Sequence, residues 1–194
     1  MTSRKTSSPI QYRHGVSRRT FLTAGLGTVI ACFSPYKAFA SVLKAFPPEK
    51  ALAFYNTHTG ETLKAVYWDQ GTYVPQSLAE INYILRDHRT GEVREIEPAL
   101  LELLCALHQK LGSTAPFSII SGYRSLETNS HLSSMSKGVV KNSMHLLGKA
   151  IDIRLPGHEL KTLQRAAVDL QRGGVGYYPS SDFVHVDVGR VRCW

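Results

Sequence analysis

The sequence predicts an α+β fold, a small and mainly antiparallel sheet with flanking helices. Helical and strand-like stretches are mixed without the regular βαβ alternation of a parallel sheet. The stretch ALAFYNTHTGETLKAVYW holds two strand-like runs separated only by a turn near Thr59 and Gly60, the pattern of a hairpin. Two more short strand-like runs, VGYYP and FVHVDVG, close the chain. No internal repeat and no low-complexity tract interrupts this pattern.

After the hairpin, PQSLAEINYILRDHRTG reads as a helix. Ser77 is its expected N-cap, Glu80 completes a capping box, and Gly91 follows its end. EPALLELLCALHQKLG is a second helix, opened by Pro98 and stopped by Gly112. PFSIISGYRS is a short strand that runs into a loop, and KAIDIRL is another strand. HELKTLQRAAVDLQRGG is a third helix, with Gly173 and Gly174 as its expected stop.

The N-terminus reads as an export leader. Arg18 and Arg19 stand directly before an apolar run that falls short of the ~20 residues needed to span a bilayer. Ala38 and Ala40 then form an A-x-A cleavage pattern. The order Ser-Arg-Arg-x-Phe-Leu matches a twin-arginine signal, which exports folded proteins. The expected organisation is a signal peptide over 1–40 cleaved after Ala40, a linker over 41–50 containing Pro47 and Pro48, and one domain over 51–194. A retained membrane anchor and lipoprotein processing at Cys32 are the competing readings of the leader.

Removing the leader changes the charge argument. The chain carries 23 Lys and Arg against 15 Asp and Glu. Six of the basic residues, Arg4, Lys5, Arg13, Arg18, Arg19 and Lys37, and none of the acids lie in the leader, which leaves 17 against 15, or +2. The basic character belongs largely to the signal, and no later Lys/Arg run with interleaved aromatics points to nucleic acid. Of the two cysteines beyond the leader, Cys105 sits on an amphipathic helix and Cys193 beside the C-terminus. No bridge between them is expected, because twin-arginine substrates fold in a reducing compartment.

The chemistry lies in NSMHLLGKAIDIRL and SDFVHVD. Asp152 is set between Ile151 and Ile153, and an acid there is costly to bury without a partner. His185 and Asp187 are two apart on a strand and share a face, with Val184, Val186 and Val188 on the other. Singly, each of these polar residues also fits the solvated side of a strand. Jointly, His145, Asp152 and His185 supply two imidazoles and one carboxylate, and three protein ligands with an open position is the pattern of catalytic zinc. Asp182, three residues before His185, is placed to serve as base toward a metal-bound water, or is an ordinary turn residue in PSSD.

Three blocks then carry a resemblance: SGYRSLETN, the block KNSMHLLGKAIDIR, and the tail GGVGYYPSSDFVHVDVGRVRCW. In this order they resemble the D-Ala-D-Ala peptidase family of zinc metallopeptidases, M15, and within it the YcbK-like murein endopeptidases. The match runs from about Ser118 to Trp194, half of the chain beyond the leader. The resemblance implies a hedgehog/D-Ala-D-Ala-peptidase-like fold and one zinc ion held by His145, Asp152 and His185. It puts Asp182 on the catalytic acid position. It puts Arg124 on the arginine that holds a substrate carboxylate or a polarised carbonyl.

Ser143 matches the small hydroxyl before the first ligand, a supporting position. Gly148 fits a sharp turn between ligand and strand. Asp187 either orients a ligand imidazole or is solvated, and Tyr177 or Tyr178 is expected to line the cleft. The implied substrate is a peptide crosslink in peptidoglycan, D-Ala–diaminopimelate or diaminopimelate–diaminopimelate, cut in the periplasm. The implied partners are that substrate and the twin-arginine translocase, with no nucleic acid and no stable membrane insertion after cleavage. A D,D- or L,D-carboxypeptidase of the same family and a non-catalytic zinc-containing wall-binding module are the rival functions.

Overall fold

The computed structural model describes residues 49–135 and 142–194. The expected leader, with Arg18, Arg19, Cys32 and Ala40, lies outside the described residues, as does most of the expected linker. Eight strands form one sheet: β1 (Lys50–Asn56), β2 (Thr62–Asp69), β3 (Thr72–Tyr73), β4 (Phe117–Ser121), β5 (Ala150–Arg154), β6 (Gly174–Tyr178), β7 (Phe183–Asp187) and β8 (Arg192–Cys193). Four helices accompany them: α1 (Pro75–Ile84), α2 (Pro98–Leu111), α3 (Leu126–Met135) and α4 (Leu160–Leu170). The strand order is β3-β2-β1-β4-β5-β7-β6-β8. Only the β1–β4 and β6–β8 pairs are parallel, so the sheet is mainly antiparallel, as expected.

One face of the sheet carries the core. Leu52 and Phe54 of β1, Ala65 and Tyr67 of β2, Phe117 and Ile119 of β4, Ile151 and Ile153 of β5, and Val184 and Val186 of β7 are all buried in a single hydrophobic cluster. Strand alternation puts them on the same side. Ile81 and Ile84 of α1, Leu100, Leu101, Leu104 and Leu107 of α2, and Leu163 and Ala167 of α4 complete the cluster. A buried leucine or isoleucine of this kind contributes roughly 1.5–3 kcal/mol relative to exposure. The opposite side of β5 and β7 carries Asp152, Arg154, His185 and Asp187, with Ala150 and Phe183 among them.

The element ends differ from expectation in instructive ways. Helix α1 starts at Pro75 with Val74 as N-cap, three residues before the expected N-cap Ser77. Proline fits the first helical position because its φ is preset and no N–H is needed there. Glu80 makes no capping box and instead accepts from Gln76 Nε2 at 3.0 Å. The helix stops at Ile84, well before Gly91, because Leu85 plunges into the core and Asp87 organises the turn that follows. Asp87 accepts from Arg89 N at 2.9 Å and from Ser125 N at 2.8 Å. Helix α4 ends at Gln171 in the left-handed conformation, not at Gly173 or Gly174. Gly174 already belongs to β6.

Helix α3 was not legible in the sequence. LETNSHLSSM is rich in Ser and Asn and lacks an apolar stripe, and its start is held by Ser125 Oγ accepting from Thr128 N at 3.1 Å. Lys50, the last residue of the expected linker, is the first of β1. Cys105 and Cys193 are free. Among the described residues no helix is long and apolar enough to cross a membrane.

Candidate metal centre

The polar face of the sheet is built row by row. Asp152 of β5 pairs with His185 of β7 on one side and with Ser121 of β4 on the other. His185 in turn pairs with Gly176 of β6. Cross-strand partners share a face, so Ser121, Asp152, His185 and Gly176 form one row on the side away from the core. An irregularity between Ile119 and Ser121 in β4 brings Ser121 into this row.

His145 joins the row from above. It lies in a 3-10 turn, Met144–Leu147, whose N-cap Ser143 accepts from His145 N at 3.3 Å. Gly148 closes the turn with φ +67, and an added Cβ there would sit 2.2 Å from the Glu95 carbonyl oxygen. Only glycine meets both demands without strain.

His145 Nε2 lies 3.2 Å from Asp152 Oδ1 and 3.1 Å from His185 Nδ1, and His185 Nδ1 lies 2.9 Å from Asp152 Oδ1. All three residues are buried. The outward nitrogens are spoken for. His145 Nδ1 donates to the Gly122 carbonyl at 2.6 Å. His185 Nε2 donates to Asp187 Oδ2 at 3.1 Å. A carbonyl and a carboxylate only accept, so these contacts fix which nitrogen carries the proton. The remaining nitrogen of each ring then points its lone pair at the same spot as the Asp152 carboxylate.

The electrostatics agree that this spot calls for positive charge. Burial pushes the Asp152 carboxyl up, but His145, His185 and the Arg124 guanidinium outweigh it and hold the group well below the usual carboxylate range. Burial lowers His185, yet Asp152 and Asp187 win and raise it above an ordinary imidazole. His145 is lowered, by burial and by the nearby Arg124 and His185 charges. The free nitrogens of the two rings and the Asp152 carboxylate thus converge where a divalent cation would sit. Two imidazole nitrogens and one carboxylate oxygen, already converged and with both rings held from behind by Gly122 and Asp187, fit a three-ligand zinc site.

The other expected site residues fall into three groups. Arg124 is at the site, but its guanidinium is engaged: it pairs with Asp152 Oδ2, and its Nε donates to Ser121 Oγ at 2.8 Å. Asp187 is fully buried and orients His185, so the solvated alternative does not hold. It also accepts from Arg192 Nη2 at 2.7 Å, Gly174 N at 3.1 Å and Gly189 N at 2.8 Å. Asp182 and Tyr177 depart from expectation. Asp182 sits in a left-handed turn after Pro179–Ser181, and its carboxylate turns to Arg154 Nε at 3.2 Å rather than to the three-residue cluster. Tyr177 pairs with Val184 and so lies on the core face, where Lys161 stands over its ring. The strand alternation makes Tyr178 the residue on the metal side, stacked on Phe183 with ring centroids 4.6 Å apart.

Three partners of the site were missed in the sequence: the Gly122 carbonyl, Ser121 and Arg192. The first is a backbone atom without any residue signature. Ser121 and Arg192 were visible as letters in SGYRS and GRVRCW, but their roles follow only from register.

Known proteins bear on this geometry. The Peptidase M15_2 family model, described as peptidoglycan L,D-endopeptidase MepK, matches residues 44–194. Peptidoglycan L,D-endopeptidase MepK of Escherichia coli (strain K12) is 40% identical over 178 residues, covering 92% of this chain and 97% of that protein. The protein of the same name from Shigella flexneri matches to the same extent. The probable peptidoglycan L,D-endopeptidase MepK of Haemophilus influenzae is 37% identical over 179 residues, covering 92% of this chain and 95% of its own. The match takes in the whole described sheet and the cluster of His145, Asp152 and His185, and the chain belongs to the M15_2 family of peptidases.

Proposed function

We propose that the protein is a zinc-dependent murein endopeptidase that hydrolyses peptide crosslinks in peptidoglycan. The observation that carries this reading is the convergence of His145 Nε2, His185 Nδ1 and Asp152 Oδ1 on one point, with the outer ring nitrogens held by Gly122 and Asp187. The L,D-endopeptidase relatives favour a crosslink with diaminopimelate on both sides of the scissile bond over the D-Ala–diaminopimelate alternative. Zinc bound by the three side chains would polarise the scissile carbonyl and acidify a water. Asp187 keeps the His185 ring in its ligating tautomer, and Arg124 fixes the Asp152 carboxylate by occupying its second oxygen. The twin-arginine leader would place the enzyme in the periplasm, where its substrate lies.

Digestion of purified crosslinked muropeptides by the 41–194 protein, read by mass spectrometry, tests the reading. Dimers are expected to fall to two monomers. The reaction should stop with a chelator, return with zinc, and be absent in His185→Ala. Intact dimers alongside trimmed monomers would make the protein a carboxypeptidase. No product in either case, with zinc bound, would make it a wall-binding module.

A further inference from the structure

The row next to the metal row differs from it in one respect: it is open. Ser118 of β4 pairs with Arg154 of β5, and Tyr178 of β6 pairs with Phe183 of β7. Arg154 follows Asp152 by two residues, so it faces the same side about 7 Å along the strand. Ser118, Arg154, Phe183 and Tyr178 are all partly exposed, whereas Asp152 and His185 are buried. At the β5 end of this row a cleft of about 270 Å3 is bounded by Ser118, Arg154, Gly157, His158, Leu160 and Asp182, among others.

Arg154 is poised rather than paired off. Its Nε lies 3.2 Å from Asp182 Oδ2 and also donates to the Asp182 backbone carbonyl. Among the described residues neither Nη group has a protein partner, so the four donors at the end of the guanidinium remain for a ligand. Its side chain is 43% exposed. By contrast Arg124 is 13% exposed and bound to Asp152 and Ser121, and Arg192 is bound to Asp187.

We propose that Arg154, positioned through its Nε by Asp182, binds a free carboxylate of the substrate next to the scissile bond. This rests on the peptidase reading of the metal centre and names the feature of the substrate that the site selects. The two Nη groups match a carboxylate as a planar, bidentate fork. The distance along β5 suits a carboxylate one residue from the carbonyl held at the metal centre. A diaminopimelate crosslink carries such a group on the carbon that bears the departing amine. In this arrangement Asp182 is a positioning residue and not the base, which accounts for its turn toward Arg154.

The test compares a diaminopimelate-crosslinked dimer with the same dimer in which that carboxylate is amidated. Wild type should favour the carboxylate form by about tenfold or more in kcat/KM, the scale of one charged hydrogen-bonded contact. Arg154→Gln should collapse that ratio through KM, and Arg154→Lys should restore part of it. Asp182→Asn should raise KM for the carboxylate form and keep kcat within about threefold, well inside the 1.4 kcal/mol that a tenfold change represents. Equal rates on both dimers for wild type, or an unchanged ratio in Arg154→Gln, would overturn the proposal. So would a large fall in kcat on both dimers in Asp182→Asn, which would make Asp182 act on the reacting atoms. Calorimetric binding of the two peptides to zinc-loaded wild type and Arg154→Gln repeats the comparison without turnover. Selective binding without cleavage would uphold the subsite and sink only the endopeptidase reading.

Discussion

At the scale of single residues, the site depends on side chains that hold other side chains. Asp187 is fully buried and is held well below the usual carboxylate range, because the bonds from His185, Arg192 and the Gly189 amide outweigh its burial. Its task is to keep the His185 proton on Nε2 and leave Nδ1 free. Asp187→Ala should therefore lower zinc affinity about 10–100-fold, the usual cost of losing an outer partner of a ligand histidine. Competition with a chromophoric chelator measures it, and an unchanged affinity would show that the ring needs no such partner. The identity of the three converging residues was legible, because an acid flanked by isoleucines and a histidine flanked by valines are unusual on strands, and His145 stands seven residues before that acid. The orientation of their neighbours was not. Asp182 and Tyr177 were read from spacing alone, and spacing does not say which way a turn or a strand face points.

At the scale of elements, the turn over 143–148 decides whether His145 reaches the sheet. Ser143 opens it, Gly148 closes it in the left-handed region, and the Gly148 carbonyl accepts from Glu97 N at 2.9 Å. Gly148→Ala would put a Cβ against the Glu95 carbonyl and cost roughly 1–2 kcal/mol from the backbone conformation alone. The expected result is a lower urea midpoint for the metal-free protein and a weaker zinc site. A variant with wild-type stability would show that the loop before α2 yields easily. The elements with strong periodicity, α2 and the strands β4, β5 and β7, lie where the sequence places them. The ends of α1 and α4 do not, because packing of Leu85 and the Asp87 turn stop one helix and a left-handed Gln171 stops the other. Helix α3 was missed because its residues favour caps and turns over helix interiors, and its anchoring to Ser125 is a tertiary arrangement.

At the scale of the whole molecule, the sheet divides the labour between its faces. The apolar face is covered by α1, α2 and α4, and the polar face of β4, β5 and β7 carries the chemistry. The expected export of a folded chain would suit such a protein, since the long-range pairing of β4, β5 and β7 must be complete before the three ligands meet. Protein purified from the periplasm is expected to begin at Ser41 by intact-mass measurement, and Arg18→Lys with Arg19→Lys should leave it in the cytoplasm. A mature form beginning at Cys32, or one retaining residues 1–40, would replace the cleaved-signal reading.

The sequence by itself determined the mixed class of the fold, the strands that carry function and the residue types able to hold a metal. These follow from local periodicity and from polar residues in apolar company. Only the tertiary structure decided that Arg124 is committed to Asp152, that Asp187 is an inward partner of His185, and that Tyr178 replaces Tyr177 on the metal side. It also decided that Asp182 belongs to Arg154. The physical reason is register. Arg124 and Asp152, His145 and His185, and Arg154 and Asp182 stand 28 to 40 positions apart, and they become neighbours only when the strands beneath them pair in one alignment, which is set by the core on the far side of the sheet.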